Sequence, residues 1–175
     1  MKYEAKAWKE TEGACLRNFN EQAQIDSVNG ALALRPQIEK IIDQIWEEGF
    51  DGIYFIGIGG TYASSMQVEV YMRGRSKLPV FVENAAEFLT TGNKKFTNKS
   101  VVIISSVSGN TKEMVELVDR VHEKGAKVFS FIDNPGTTLT QPDKQDYLIV
   151  YPMNEQLKFC LLYTSPSPRD STSSR

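Results

Sequence analysis

Hydrophobic positions along the chain follow two different patterns. Between residues 25 and 48, Ile25, Val28, Ala31, Leu32, Ile38, Ile41, Ile42 and Ile45 recur at spacings of three and four, the period of an amphipathic helix. Pro36 divides that stretch in two, and Gly49 ends it. Beyond Gly49 the apolar residues gather into short unbroken runs: Ile53–Ile56, Val80–Val82, Val101–Ile104, Val128–Ile132 and Tyr147–Val150. Runs without alternation imply strands buried on both faces, hence a parallel sheet. Helical segments separate them. One spans about 63–73. A short one, 85–90, is capped by Asn84 and stopped by Gly92. A third, 112–123, is stopped by Gly125, with Lys124 well placed for the helix dipole. Asp133-Asn134-Pro135-Gly136 is a strong turn signal. Strict alternation of strand and helix predicts an α/β, three-layer, doubly wound fold: a five-stranded parallel sheet with helices on both faces.

The ends depart from this pattern. Residues 1–24 read as a lead without clear period, 25–160 as the folded domain, and 161–175 as a disordered tail rich in Ser, Thr and Pro. That tail starts abruptly within an amphipathic segment, Glu155 to Leu162. It is expected to be a non-native appendage, which makes the chain a fragment whose natural sequence differs beyond about Phe159. The length of 175 residues suits one domain with trimmings. A net charge of −2 with no basic block argues against a nucleic-acid partner. No apolar run reaches the ~18 residues of a membrane span and no signal-peptide pattern occurs. Neither a membrane partner nor a cofactor is expected, and the expected location is cytoplasmic. Cys15 and Cys160 show no metal or redox spacing, so they read as buried or idle thiols of a reducing cytosol, and no metal site is expected.

The candidate chemistry lies in two loops, each wedged between a strand and a helix. In the first, Ile58 to Ser65, Gly59 and Gly60 allow a sharp turn and close approach to a ligand. Thr61 is placed to cap the helix or meet an anion, and Ser64 and Ser65 lie in its first turn. The second, Ser105 to Thr111, puts Ser105, Ser106, Ser108 and Thr111 within seven residues. That is more hydroxyls than one N-cap needs. Gly109 permits a positive φ, and Asn110 or Thr111 begins the next helix. Parallel strands deliver both loops to one sheet edge, where hydroxyls and helix N–H groups can converge on one anion. Glu83, Asn84 and Glu87 reach the same edge, as caps or as acceptors for sugar hydroxyls. His122, the one histidine, lies on the back half of a helix and reads as solvated or packed rather than as a base. Gly57-Ile-Gly59-Gly60-Thr-Tyr62 also resembles a dinucleotide fingerprint, with Glu83 at the ribose position, although Tyr62 replaces its final glycine. A P-loop is excluded by the absence of Gly-Lys-Ser or Gly-Lys-Thr.

Ser106-Val-Ser108-Gly-Asn-Thr111 resembles the Ser-X-Ser-Gly-X-Thr phosphate loop of the sugar isomerase (SIS) domain family. Gly59-Gly60-Thr61 resembles that family's first loop, and Ala86-Glu87-Phe88 its Ser-Glu-Phe segment. The likeness covers about Ile25 to Phe159. Within the family, four segments are most similar to fructosamine 6-phosphate deglycases: Phe55-Ile-Gly-Ile-Gly-Gly-Thr61, Val82-Glu-Asn-Ala-Ala-Glu87, Thr90-Thr-Gly-Asn-Lys94 and Tyr151-Pro-Met-Asn-Glu-Gln-Leu-Lys-Phe159. The resemblance implies a flavodoxin-like fold and a sugar 6-phosphate held by Gly59, Gly60, Thr61, Ser106, Ser108, Gly109, Asn110 and Thr111. Ser64, Glu83, Glu87, Ser105 and Glu155 are weaker binding candidates. It also implies an enzyme in which the ketosugar opens and a proton moves between its first two carbons through an enolamine. Hydrolysis of the aldimine then releases glucose 6-phosphate and an amine such as lysine. Family members carry a second SIS domain bearing the catalytic glutamate and histidine, so no catalytic residue is assigned in this chain, and they are typically homo-oligomers. The alternative within the family is the effector-binding module of a transcription regulator. Such proteins carry an N-terminal DNA-reading module of ~75 residues or more, and the shorter, non-basic segment before the first strand favours the enzyme.

Overall fold

Each continuous apolar run is a strand of one parallel sheet in the computed structural model, which describes residues 21–151. The strands are β1 (Gly52–Gly57), β2 (Val80–Asn84), β3 (Ser100–Ser106), β4 (Lys127–Ile132) and β5 (Tyr147–Val150). Among the described residues two helices precede them. The first, α1 (Glu21–Ala33), lies outside the compact unit Leu34–Pro152. It exposes Ile25, Val28 and Leu32, three apolar residues on one helical stripe. The second, α2 (Arg35–Glu48), takes Pro36 into its first turn, where a missing N–H costs nothing. The break expected from Pro36 therefore falls at Leu34. Gly49 ends α2 at φ +76°, a conformation that favours glycine.

The sheet order is β2-β1-β3-β4-β5, and every neighbouring pair is parallel. This is the flavodoxin-like order, not the order of the dinucleotide-binding fold. The connecting helices are α3 (Gly60–Arg73), α4 (Ala85–Thr91) and α5 (Lys112–Glu123). From β1 the chain steps outward to β2; from β3 it steps the other way to β4. Right-handed crossovers therefore place α3 and α5 on opposite faces. One face packs Tyr54, Ile56, Val102, Ile104 and Val128 against Phe88 of α4 and Met114, Leu117, Val118 and Val121 of α5. The other packs Val101, Phe129 and Ile149 against Ile41 and Ile45 of α2. The result is the three-layer α/β arrangement that the alternating pattern implies. Several element boundaries differ from the expected ones, and three of them bear on the site. Strand β3 runs on to include Ser105 and Ser106, β2 runs on to Asn84, and α3 begins at Gly60 instead of Ala63.

Helix α3 is less embedded than α5. None of its side chains is fully buried, and Met66, Val70 and Tyr71 face solvent. Its role in the fold is to start close against the end of β1. A Cβ added to Gly57 would lie 2.7 Å from the Tyr62 nitrogen and 2.8 Å from Thr61 Oγ1. A side chain at Gly57 would lever the first turn of α3 off the sheet.

Tyr54 anchors the β1–β2 side of the core. It stacks on Phe81 with ring centroids 4.6 Å apart and takes the edge of Phe96 at 5.1 Å. Its ring is fully buried, and among the described residues its hydroxyl has no hydrogen-bond partner. Burial, with the charges of Asp51 and Glu83 adding to it, pushes the phenol up to about 12. An unfolded tyrosine ionises near pH ~10. Between those values the unfolded state has released the proton and the folded state has not, so this residue's share of stability is lost as pH rises. Tyr54→Phe is expected to raise stability at neutral pH by about 1 kcal/mol, because it removes an unsatisfied buried hydroxyl. Urea unfolding at pH 7 and pH 11 checks this: the variant's advantage should widen at the higher pH, and a destabilised variant at pH 7 would show that the hydroxyl has a partner.

Candidate functional site at the carboxyl ends of β1 and β3

The site rests on the one place where the connections diverge. Ile56 of β1 lies opposite Ile104 of β3 on one side and Glu83 of β2 on the other. Neighbouring strands are about 4.8 Å apart, so the loops that leave β1 and β3 start side by side. Because α3 and α5 then depart to opposite faces, a crevice opens between them, the usual ligand position in an open α/β sheet.

Both helices that leave this crevice begin without a side-chain cap. By contrast α4, which starts from the edge strand, is capped in the ordinary way: the Asn84 side chain accepts from the Ala86 N–H at 3.0 Å. The uncapped starts of α3 and α5 leave their first N–H groups available to a ligand, with the positive ends of two helix dipoles behind them. No acidic residue occupies the first turn of α3, so nothing of its own charge competes with an anion there.

The first loop is built from backbone more than from hydroxyls. Gly59 turns the chain at φ +57°. The Thr61 hydroxyl does not cap the helix or face the crevice: it donates to the Ile58 carbonyl at 3.0 Å and accepts from the Ile58 N–H at 3.1 Å. Its single proton is spent inside the turn. The hydroxyls of Ser64 and Ser65 likewise donate back to the carbonyls of Gly60 and Thr61, at 3.0 and 2.9 Å. What remains for a ligand here is the run of amides around Gly60.

The second loop does offer hydroxyls. Ser105 and Ser106 end β3 and point to opposite faces of the sheet. Buried Ser106 closes the turn by accepting the Gly109 N–H at 3.0 Å. Ser108 and Thr111, the former exposed and the latter half-buried, bring their hydroxyls within 3.1 Å of each other. Gly109 is required twice over. It sits at φ +65°, and a Cβ there would lie 2.0 Å from Thr137 Oγ1.

A brace from the β4–β5 connection holds this loop, and no sequence signal pointed to it. The Asp133 N–H donates to the Ser106 carbonyl at 3.1 Å, and the Leu139 N–H to the Gly109 carbonyl at 3.0 Å. Asn134 Nδ2 donates to the Val107 carbonyl at 2.9 Å. Asn110 Oδ1 accepts from the Thr138 N–H at 2.9 Å and from its hydroxyl at 2.8 Å. The Asp133–Gly136 segment was legible as a turn; that it folds back over the neighbouring loop depends on β3 and β4 being adjacent.

The remaining candidates are spread more widely. Glu83, level with Ile56, accepts from Asn93 Nδ2 at 2.7 Å, so a part-buried partner fixes its carboxylate at the edge of the crevice. Glu87 is exposed in the first turn of α4. Glu155 lies outside the described residues. His122 sits toward the far end of α5, where Nε2 contacts Asp146 Oδ2 at 3.1 Å while that oxygen accepts the Val128 N–H at 2.8 Å. Those partners begin β4 and precede β5, at the sheet edge opposite the crevice, so the histidine pins strands rather than serving the site. Among the described residues no group of three or more His, Cys, Asp or Glu is placed to hold a metal ion, and no helix is long and apolar enough to cross a membrane.

A family model for the SIS domain matches residues 50–167. A glutamine–fructose-6-phosphate aminotransferase (isomerizing) of Methanococcus maripaludis is 31% identical over 105 residues, covering 60% of this chain and 17% of that protein. Among solved structures, a Bacillus subtilis protein described as a candidate phosphosugar isomerase is 28% identical with a TM-score of 0.56, over 65% of this chain and 36% of that one. Tagatose-6-phosphate ketose/aldose isomerase from Escherichia coli shares the fold at a TM-score of 0.63 and 15% identity, over 77% of this chain and 38% of its own. The chain spans about a sixth of the length of the curated relatives it matches. The matched residues carry both loops, the sheet that aligns them and the turn that braces the second, and the chain belongs to the SIS domain family.

Proposed function

We propose that this domain binds a sugar 6-phosphate in the crevice between the loops that follow β1 and β3. The observation that carries the reading is the pair of neighbouring helices, α3 and α5, that both start without a side-chain cap over adjacent strand ends. An anion seated there would meet amides from the Gly59-Gly60-Thr61 turn on one side. From the other it would meet the hydroxyls of Ser108 and Thr111 and the amides of Asn110 and Thr111, while the Gly109 N–H stays with Ser106 Oγ. Ser106 holds the turn from within. Helix starts and hydroxyls suit a phosphate dianion because each contact is a charge-assisted hydrogen bond. Glu83, held by Asn93, and Glu87 flank the crevice with acceptors for sugar hydroxyls, and Glu155 is proposed to join them.

The finer reading is that the complete protein is a fructosamine 6-phosphate deglycase. Its support is the likeness of four sequence segments to that group, together with similarity to a relative named for fructose 6-phosphate. In this scheme the chain's own residues bind and orient the phosphate end of the substrate. The proton shift between the first two sugar carbons and the hydrolysis of the aldimine need a general acid and base. These are proposed to come from a second SIS domain, with oligomerisation completing the pocket.

Two outcomes are expected. Ser108→Ala combined with Thr111→Ala should abolish glucose 6-phosphate binding in calorimetry while the circular dichroism stays unchanged. The loss of two charge-assisted hydrogen bonds costs about 3–6 kcal/mol, and wild-type affinity in that variant would remove the phosphate assignment. The 175-residue chain should also release no lysine from fructoselysine 6-phosphate. Turnover by this chain alone would refute the division of labour between two domains.

A further inference from the structure

We infer that Asn110 is a positioning residue: clamped by Thr138, it holds Ser108 and Thr111 in the geometry that receives the phosphate, and it makes no ligand contact through its own side-chain oxygen. The inference rests on the phosphosugar reading above and deepens it.

Asn110 lies between the two hydroxyl residues, whose oxygens are 3.1 Å apart. Its Oδ1 is already occupied twice, by the backbone N–H and the hydroxyl of Thr138 at 2.9 and 2.8 Å. A carbonyl oxygen has two lone pairs, so its acceptor capacity is used. The next peptide back is held as firmly. Gly109 donates to Ser106 Oγ at 3.0 Å and accepts from the Leu139 N–H at 3.0 Å, with Thr137 closing the space a Cβ would need. Thr138 and Leu139 open the 3₁₀ turn Thr138–Thr140. Leu139 is completely buried in the core beneath. The clamp thus connects an exposed loop apex to a packed part of the molecule.

The physical benefit is entropic. A loop of serine and glycine left free would lose about 1–2 kcal/mol per residue on being ordered by a ligand. A loop already held in place avoids that loss when the ligand binds. An amide suits the position better than a carboxylate would. It accepts the same two hydrogen bonds without placing a negative charge beside a phosphate.

The test compares Asn110→Ala, Thr138→Val and Thr138→Ser in the 175-residue chain, titrated with glucose 6-phosphate, with thermal unfolding recorded for each. Thr138→Val removes the hydroxyl donor and keeps the backbone N–H; Thr138→Ser restores the hydroxyl. Asn110→Ala and Thr138→Val should each weaken affinity by about 2- to 10-fold. Their combination should cost no more than the worse of the two, and Thr138→Ser should bind as wild type. Should Asn110→Ala fail to fold, the comparison of valine with serine at Thr138 carries the test alone. Loss of affinity in Asn110→Ala with wild-type affinity in Thr138→Val would overturn the inference, since Asn110 would then touch the ligand directly. Lowered thermal stability without any change in affinity would overturn it as well, leaving the clamp a purely structural contact. Ser108→Ala separates the two readings: if it too binds normally, the phosphate site itself is wrong; if it fails to bind while the clamp variants bind normally, only the positioning role falls.

Discussion

The pairing of β1 with β3 is the constraint on which the site depends. These two strands are separated in sequence by α3, β2 and α4, yet they lie side by side in register, with Ile56 opposite Ile104. Right-handed crossovers do the rest. They send α3 and α5 to opposite faces and leave two helix starts flanking one gap. With β2 inserted between them, the same loops would stand about 10 Å apart across two strand spacings, too far to share one small anion. The proposed binding capacity is therefore a consequence of strand order before it is a property of any residue.

Close packing then sharpens what topology permits. Gly57 lets α3 begin hard against the end of β1, and Gly109 lets the serine loop press on Thr137. Neither contact tolerates a Cβ. The second loop is further fixed by five hydrogen bonds from the segment that follows β4. Each is worth little alone, roughly 0.5–1.5 kcal/mol at most for groups near solvent. Acting together on successive peptides they define one backbone path. The first loop reaches order by a different route: Thr61 folds its hydroxyl onto Ile58, so the turn carries its own brace within the sequence of the loop.

The fold was legible because continuous apolar runs have one economical explanation, burial on both faces of a parallel sheet. The strands beginning near Ile53, Val80, Val101, Val128 and Tyr147, the Asn84 cap and the Gly92 and Gly125 stops could all be read from local chemistry. The location of the two loops at one edge followed from the same reasoning. Side-chain direction did not. Nothing in Ile58–Ser65 reveals that Thr61, Ser64 and Ser65 turn their protons inward, because a hydroxyl in a helix start can serve a cap, a carbonyl or a ligand equally well. Nor could Asn110 be assigned to Thr138, nor Glu83 to Asn93, since such pairs form across elements whose adjacency is set by tertiary structure. Gly57 was noticed as part of a glycine pattern, but its steric reason appears only once α3 is seen to start at Gly60.

Amide chemical-shift mapping of the chain with glucose 6-phosphate is the most direct measurement of the central claim. The account predicts that the largest shifts fall on two separated stretches at once, Gly59–Tyr62 and Ser108–Lys112, with much smaller ones at the opposite sheet edge around Asp51, Val128 and Asp146. Shifts confined to one of those loops, or centred on that opposite edge, would contradict it.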